Sequence, residues 1–144
     1  LDLRAKPTDN IDLIASFGYL NTEFNEFTDS ITGRDLSGNQ LPNSPEYTYA
    51  LAAQYREPGG FFGRLELSGF GTYFFDQTND AKQKPFLLVN ARIGYEFDTF
   101  GVFLYGNNLF NQDYFTSGLN SGTGRFAGYP GEGSVFGFQV RGEF

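Results

Sequence analysis

The chemistry open to this chain is limited by the residue types that it lacks. Its 144 residues include no Cys and no His, so thiolate nucleophiles, imidazole bases and the usual zinc ligands are missing. The net charge is −7, and no stripe of Lys and Arg runs along the sequence to follow a phosphate backbone. The composition rules out a disulfide framework and argues against a nucleic-acid partner.

Two short stretches contain residue types that bind ions. The segment DQTND at 76–80 offers carboxylates and amides that suit Ca²⁺, but it lacks the spacing of an EF-hand loop. The segment GTGRFAG at 122–128 is similar to a phosphate-binding loop, yet no Lys-Ser or Lys-Thr pair follows it. We interpret both as solvated loops, the second with glycines that suit loop conformations.

Charged pairs lie two or four residues apart on alternating segments. Arg64 with Glu66, and Arg92 with Glu96, could serve acid–base catalysis. Charge ladders along the wet side of a sheet explain the same spacing with fewer assumptions. We therefore predict no catalytic residue, no metal site, no cofactor and no enzymatic activity.

The elements that carry these residues alternate between apolar and polar positions with a period of two, which is typical of β-strands. In one example, Leu87, Val89, Ala91 and Ile93 lie opposite Asn90, Arg92 and Glu96. The pattern predicts seven antiparallel strands. The predicted short turns are 7–10, 57–60 and 98–101, and the predicted long loops are 28–44, 77–84 and 116–132.

This pattern predicts a membrane barrel. Short and long connections alternate, so all the turns lie at one end, as in outer-membrane barrels with short periplasmic turns and long extracellular loops. The strands are long enough to cross a bilayer, which takes about 9–11 residues. Aromatic residues near strand ends fit two interfacial girdles, namely Tyr19, Tyr47, Tyr55, Tyr73, Phe75, Tyr95 and Phe97. A soluble sheet with one wet face alternates similarly, but its strands are shorter.

The last predicted strand, 133–144, is the most regular. Its large apolar residues share one face and end in an aromatic residue: Phe136, Phe138, Val140, Gly142 and Phe144. This arrangement resembles the C-terminal signature of bacterial outer-membrane barrels, which implies an assembly signal for the barrel-assembly machinery. Seven strands is an odd number, whereas such single-chain barrels have even numbers. We therefore expect residues 1–144 to be the C-terminal segment of a larger all-β, antiparallel transmembrane barrel.

Three stretches together resemble TonB-dependent outer-membrane receptors. The first is LSGNQLPNSPEYTYALAAQYR at 36–56, and the last is FQVRGEF at 138–144. Between them lies FLYGNNLFNQDYF at 103–115, in which Asn108, Leu109, Phe110 and Tyr114 match the family segment and Asn111 replaces its usual Asp. The resemblance covers essentially the whole chain, as the last seven strands of a 22-stranded barrel without its plug domain or TonB box.

The resemblance implies active uptake of a scarce nutrient across the outer membrane of a Gram-negative bacterium. The implied partners are outer-membrane lipid, the rest of the barrel and its plug, the TonB complex, and a metal chelate, most often a ferric siderophore. Candidate ligand contacts lie in the last long loop: Tyr114, Phe115, Arg125, Phe126 and Tyr129. Aromatic residues near an outer interface are more often membrane anchors, so these candidates mark a location only.

Two other functions compete with the receptor. A small closed barrel of eight strands with a structural or adhesive role needs one strand more than this sequence supplies. An outer-membrane lipase or protease needs a nucleophile with a base, and the sequence has no His. A signal peptide and a plug upstream would favour the receptor.

Overall fold

The structure, a computed structural model, describes residues 1–120 and 126–142. These residues form strands, turns and connecting segments. The strands are β1 (Asp2–Thr8), β2 (Ile11–Tyr19), β3 (Tyr47–Arg56), β4 (Phe61–Phe70), β5 (Tyr73–Phe74), β6 (Lys82–Gln83), β7 (Phe86–Glu96), β8 (Phe100–Asn107), β9 (Phe115–Asn120), β10 (Phe126–Pro130) and β11 (Val135–Gly142). Among the described residues, no helix is long and apolar enough to cross a membrane.

Seven of these strands form one antiparallel sheet, in the order β1-β2-β3-β4-β7-β8-β11. The other four form two hairpins, β5–β6 and β9–β10, inside two of the long connections. The predicted all-β architecture of seven antiparallel strands is confirmed. The two added hairpins were not predicted.

The register divides the sheet into two faces. On the apolar face, Leu65 pairs with Ala91 and Ile93 pairs with Leu104. On the polar face, Arg64 pairs with Arg92. Because β7 pairs odd with even positions of β8, the even positions of β8 and β11 continue the apolar face. The predicted separation of residues 87–93 by face is confirmed by this register.

The three short turns meet at one end of the sheet, here called the turn end. The backbone N–H of Arg56 donates to the carbonyl of Asn10 at 2.9 Å, and that of Glu96 donates to the carbonyl of Gly60 at 2.7 Å. The side chains of Arg56 and Glu96 form an ion pair at 2.9 Å. Glu96 therefore pairs with Arg56 at an adjoining turn and not with Arg92, which lies four residues away on its own strand.

The long connections meet at the opposite end, here called the loop end. They span 20–46, 71–85 and 108–134, so each is longer than predicted. Backbone N–H groups join the first two connections, from Asn43 to the carbonyl of Phe74 at 2.7 Å and from Gln40 to Asn79 Oδ1 at 2.7 Å. The second and third are joined by the N–H of Phe115, which donates to Gln83 Oε1 at 2.9 Å.

Asn108 explains why β8 ends earlier than its sequence pattern predicts. Its backbone is left-handed, with φ at 47°, and its side chain is 5% exposed. Nδ2 donates to the carbonyls of Gln112 at 3.0 Å and Glu132 at 2.9 Å, while the backbone N–H donates to Asn90 Oδ1 at 2.9 Å. These bonds turn the chain out of the sheet and tie the start of the third long connection to its end.

The main buried cluster lies at the loop end and contains Tyr73, Phe75, Ala81 and Phe86. The prediction that Tyr73 and Phe75 belong to an interfacial girdle is wrong. Strand β4 leaves the main sheet after Phe70, and the chain then forms the β5–β6 hairpin. This hairpin brings the rings of Tyr73 and Phe75 into the cluster, where they are 9% and 7% exposed. Other girdle residues are exposed at strand ends, namely Tyr19, Tyr55, Tyr95 and Phe97.

Candidate ligand-binding site

A pocket of about 420 Å³ opens at the loop end of the polar face. Strands β4 and β7 supply its floor, and the three long connections supply its walls. The lining residues are Asn43, Pro45, Phe70, Tyr73, Phe86, Leu88, Tyr114, Phe115 and Thr116. Most of these side chains are aromatic or apolar, as in small-molecule sites generally. We call it the aromatic pocket.

Three stacked rings form the floor of the aromatic pocket. Phe70 and Phe86 are direct partners across β4 and β7, and their ring centroids lie 4.8 Å apart at 16°. Tyr114 then stacks on Phe86 at 4.8 Å and 13°. Parallel rings at this spacing present a flat apolar surface, onto which another flat group can stack.

A second set of rings supports one wall. Phe75 contacts Tyr73 edge-on at 5.3 Å and Phe126 at 5.6 Å, and Phe126 contacts Phe115 at 5.2 Å. Gly118 accommodates this packing, because a Cβ there would lie 2.4 Å from the Phe126 ring. The β9–β10 hairpin is thereby packed against the β5–β6 hairpin.

Two of the polar side chains that line the aromatic pocket are already engaged. The Tyr73 hydroxyl donates to the carbonyl of Phe115 at 3.1 Å. The Thr116 hydroxyl donates to the carbonyl of Tyr129 at 3.2 Å. Burial, and then repulsion from the charged form of Tyr114, raise the pKa of Tyr73, so Tyr73 remains a neutral donor at physiological pH.

A second pocket, of about 230 Å³, lies further down the polar face and is here called the charged pocket. Its lining residues are Arg64, Glu66, Asn90, Ala91, Arg92, Tyr105 and Asn107. Arg64 donates through Nε to Glu66 at 2.9 Å and through Nη1 to Gln54 at 3.2 Å. The Arg92 guanidinium stacks on the Phe103 ring, 4.1 Å from its centroid.

The chemistry of these pockets is that of binding. The aromatic pocket offers stacking surfaces and fixed dipoles, and the charged pocket offers guanidinium and amide groups. Within residues 1–120 and 126–142, no cluster of three or more acidic side chains is arranged to hold a metal ion. The segment 76–80 forms a turn in which Asp76 Oδ1 accepts the N–H of Asp80 at 3.0 Å.

The structure brings together some of the predicted ligand contacts. Tyr114 and Phe115 line the aromatic pocket, whereas Phe126 packs behind it against Phe75. Tyr129 is 72% exposed and does not line the pocket, and its role as a ligand contact stays a prediction. The pairing of β9 with β10 directs Tyr129 away from the pocket. Arg125 lies outside the described residues.

The predicted assembly residues lie on β11. Phe136, Phe138 and Val140 are 69%, 75% and 62% exposed on the apolar face, and Gly142 is the last residue of the strand. Phe144 lies outside the described residues. Their role in assembly stays a prediction.

Sequence reasoning missed the floor of the aromatic pocket, although a signal was present. Phe70 and Phe86 occupy positions of the polar face, which elsewhere carries residues such as Arg64, Glu66 and Asn90. Two aromatic residues at polar positions next to a long loop indicate a ligand surface rather than a membrane anchor. The wall residues Asn43 and Pro45 had no comparable signal, because they reach the site through loop contacts.

Comparison with known proteins identifies the family. The family model described as TonB dependent receptor-like, beta-barrel matches residues 1–109. The fold is similar to that of the ferric yersiniabactin uptake receptor FyuA from Yersinia pestis, with a TM-score of 0.84 and 18% identity over 99% of this chain and 22% of that one.

Two further solved structures are similar. The siderophore receptor PiuA from Acinetobacter baumannii gives a TM-score of 0.79 and 21% identity, covering 96% of this chain and 20% of that one. The ferric citrate transporter FecA gives a TM-score of 0.74 and 26% identity, covering 92% of this chain and 20% of that one. The chain therefore spans about a fifth of the length of these proteins. With its family model matched over most of its length, this chain belongs to the TonB dependent receptor-like, beta-barrel family.

Proposed function

We propose that this chain is part of the barrel of an outer-membrane receptor for active uptake of a ferric siderophore, driven through TonB. The polar face lines the lumen and the apolar face contacts lipid. The turn end lies in the periplasm of a Gram-negative bacterium, and the loop end lies outside. The aromatic pocket is the part of the cargo site that this segment contributes.

One observation carries this proposal. The single sheet separates an exposed apolar face, with Ile93, Leu104 and Phe138 more than half exposed, from a polar face that ends in the aromatic pocket. Exposed apolar area on this scale calls for a nonaqueous environment. A pocket at the other face, on the side of the long loops, is placed to meet a solute that arrives from outside.

The partners follow from the same proposal. The lumenal face would contact the plug and the remaining strands of the barrel, and TonB would act through the plug. Membership of the family and likeness to iron-chelate receptors support these partners. The β11 residues Phe136, Phe138 and Val140, with Gly142 and Phe144, would form the assembly signal that the barrel-assembly machinery recognises.

The test is an uptake assay with the full-length protein. It is expressed in a Gram-negative host that lacks its own siderophore receptors, and uptake of ⁵⁵Fe is measured with a panel of ferric siderophores. We expect accumulation of at least one chelate, and its loss in a matched host without TonB. Equal uptake with and without TonB, or none from any chelate despite normal surface levels, would contradict the proposal.

A further inference from the structure

Among the residues that the structure describes, Asn43 supplies the one side-chain amide in the lining of the aromatic pocket. This side chain is exposed, and within the described part of the chain it forms no hydrogen bond. The Tyr114 hydroxyl is also unengaged, but its end of the ring packs against Gly131, where a Cβ would lie 2.1 Å from Tyr114 Cζ. The Asn43 amide can donate to a ligand through Nδ2 and accept through Oδ1.

The backbone of Asn43 is fixed by a structured turn. Its φ is 56°, in the left-handed region where asparagine is enriched. Its N–H donates to the carbonyl of Phe74 at 2.7 Å, which ties it to β5. Gln40 closes the turn 40–44, because its Nε2 donates to the carbonyl of Ser44 at 2.7 Å. An amide carried by a fixed backbone loses little freedom when a ligand binds.

Asn79 of the second long connection holds this turn in place. Its Oδ1 accepts the backbone N–H of Gln40 at 2.7 Å, and its Nδ2 donates to the carbonyl of Gln40 at 2.9 Å. One side-chain amide thus satisfies both backbone groups of a single residue, as a partner residue in an antiparallel sheet does. Nδ2 also donates to the carbonyl of Asp76 at 3.2 Å. The turn at 40–44 is therefore joined to the turn at 76–80.

The lining of the aromatic pocket indicates the kind of group that it accepts. In the described part of the chain, no charged residue lines it, and an unpaired charge is costly to bring into an apolar site. The floor is a stack of rings on which a flat group can lie. A site that hydrogen-bonds a polar group of its ligand discriminates strongly against analogues without that group.

We propose that the Asn43 amide is the specificity-determining contact of the aromatic pocket. It selects an uncharged ring that stacks on the floor and carries a hydrogen-bond donor and acceptor at its edge. Asn79 is a positioning residue, which acts by holding the turn 40–44. This proposal rests on the proposed function, because it treats the aromatic pocket as part of the cargo site.

The test measures binding by the purified full-length protein without transport, so its failure leaves the uptake result untouched. The probes are benzamide, which has a donor and an acceptor, and acetophenone, in which a methyl group replaces the NH₂ donor. Saturation-transfer NMR against probe concentration yields an apparent Kd for each. The selectivity ratio is the Kd of acetophenone divided by that of benzamide. Comparing this ratio between proteins cancels the greater apolarity of acetophenone.

Two substitutions of Asn43 test the contact itself. Asn43→Gly removes the amide but tolerates φ at 56°, and it should lower the selectivity ratio about fivefold, as loss of one hydrogen bond should. Asn43→Asp keeps an acceptor for the NH₂ group of benzamide and loses the donor to either carbonyl. Its ratio should therefore equal or exceed the wild-type value. A merely structural role for Asn43 would give no such difference between the two variants.

Asn79→Asp tests the positioning role. The carboxylate keeps the acceptor for the Gln40 N–H and loses the donor to the Gln40 carbonyl, so the selectivity ratio should fall at pH 7. At about pH 3.5 most of this carboxyl is protonated and again has a donor. Neither probe titrates between these pH values, so the ratio should return toward that of the wild type at the same pH.

Asn111→Asp is the matched control for Asn79→Asp. Its backbone is also left-handed, with φ at 48°, and its Oδ1 accepts the N–H of Ser134 at 3.0 Å. The carboxylate keeps this bond and adds the same charge at the loop end. The selectivity ratio of Asn111→Asp should equal that of the wild type at both pH values.

Three results would overturn the proposal. One is the same selectivity ratio in Asn43→Gly as in the wild type or in Asn43→Asp. Another is a ratio in Asn79→Asp that equals the wild-type value at pH 7 or that acid does not restore. The third is binding of neither probe at millimolar concentration, since the aromatic pocket would then not accept an uncharged ring with an amide at its edge.

Discussion

The two ends of the sheet are held together by different means. At the turn end, backbone hydrogen bonds link one turn to the next, such as that from Glu96 to Gly60 at 2.7 Å. At the loop end, side chains from three long connections surround stacked rings and leave a pocket of about 420 Å³. One end therefore fixes the geometry of the strands, and the other leaves an open pocket, which we propose as the cargo site.

The largest effect should come from the middle ring of the stack at the loop end. Phe86 is 9% exposed between Phe70 and Tyr114, so Phe86→Ala should cost about 3–5 kcal/mol of local stability. Hydrogen exchange of residues 71–85 in the full-length protein measures this loss.

The matched control for Phe86 is an aromatic residue of the turn end. Phe97 also stacks on a neighbour, Phe100 at 4.2 Å, but is 49% exposed. Phe97→Ala should leave exchange at the loop end unchanged. Similar exchange rates in the two variants would show that the aromatic cluster does not organise the loops.

A smaller effect is expected from a glycine at the turn end. Gly60 has φ at +105°, and a Cβ there would lie 2.2 Å from the Glu96 carbonyl oxygen. Gly60→Ala should cost about 2–4 kcal/mol in all, from the left-handed backbone and the clash. Urea unfolding of the wild type and the variant in lipid vesicles measures this difference in the free energy of unfolding.

Gly38 separates the two contributions at Gly60. Its φ is +81°, but its added Cβ meets nothing within 4 Å. Gly38→Ala, in a loop, should cost only the backbone part, about 1–2 kcal/mol. If both substitutions cost the same, the close contact between adjoining turns contributes nothing to stability.

The smallest effect concerns a single hydroxyl at the loop end. Tyr73→Phe removes the bond to the Phe115 carbonyl, made at 3.1 Å, and should cost about 0.5–1.5 kcal/mol at pH 7. Because the pKa of Tyr73 is raised by burial, the folded state keeps this proton after the unfolded chain loses it.

The Tyr73 hydroxyl therefore makes the free energy of unfolding depend on pH in the alkaline range. Its contribution is complete below the unfolded pKa of about 10 and is lost as pH rises through the raised folded value. The difference in unfolding midpoint between wild type and Tyr73→Phe should stay constant from pH 7 to about pH 10 and shrink as pH rises further. A difference that stays constant well above pH 10 would mean that Tyr73 does not titrate in this way.

Strand alternation predicts the sheet well because burial on one face imposes a period of two. The seven strands and the end at which the turns lie follow from that period alone. Strand ends were less predictable. β8 ends where Asn108 forms hydrogen bonds with Gln112 and Glu132, and Glu132 lies too far along the chain to be read from a local pattern.

The candidate site was predicted only in part for a similar reason. Tyr114 and Phe115 were identified from their place in a loop, and they do line the aromatic pocket. Tyr129 lies in the same long connection, but its side chain is exposed outside the pocket, because the pairing of β9 with β10 determines which side it faces. Phe70 and Phe86 stood out only once their strand faces were known.

The most direct test of the account compares two tyrosines of the same long connection. Tyr114 lines the aromatic pocket, whereas Tyr129 is 72% exposed and does not line it. The measurement is the Kd of the ⁵⁵Fe-labelled chelate that the full-length receptor takes up, on whole cells with equal surface levels. Tyr114→Ala removes one stacked ring and should weaken binding of the chelate about tenfold. The Kd of Tyr129→Ala should equal that of the wild type. Equal Kd values for the two variants would contradict the assignment of the aromatic pocket as the cargo site.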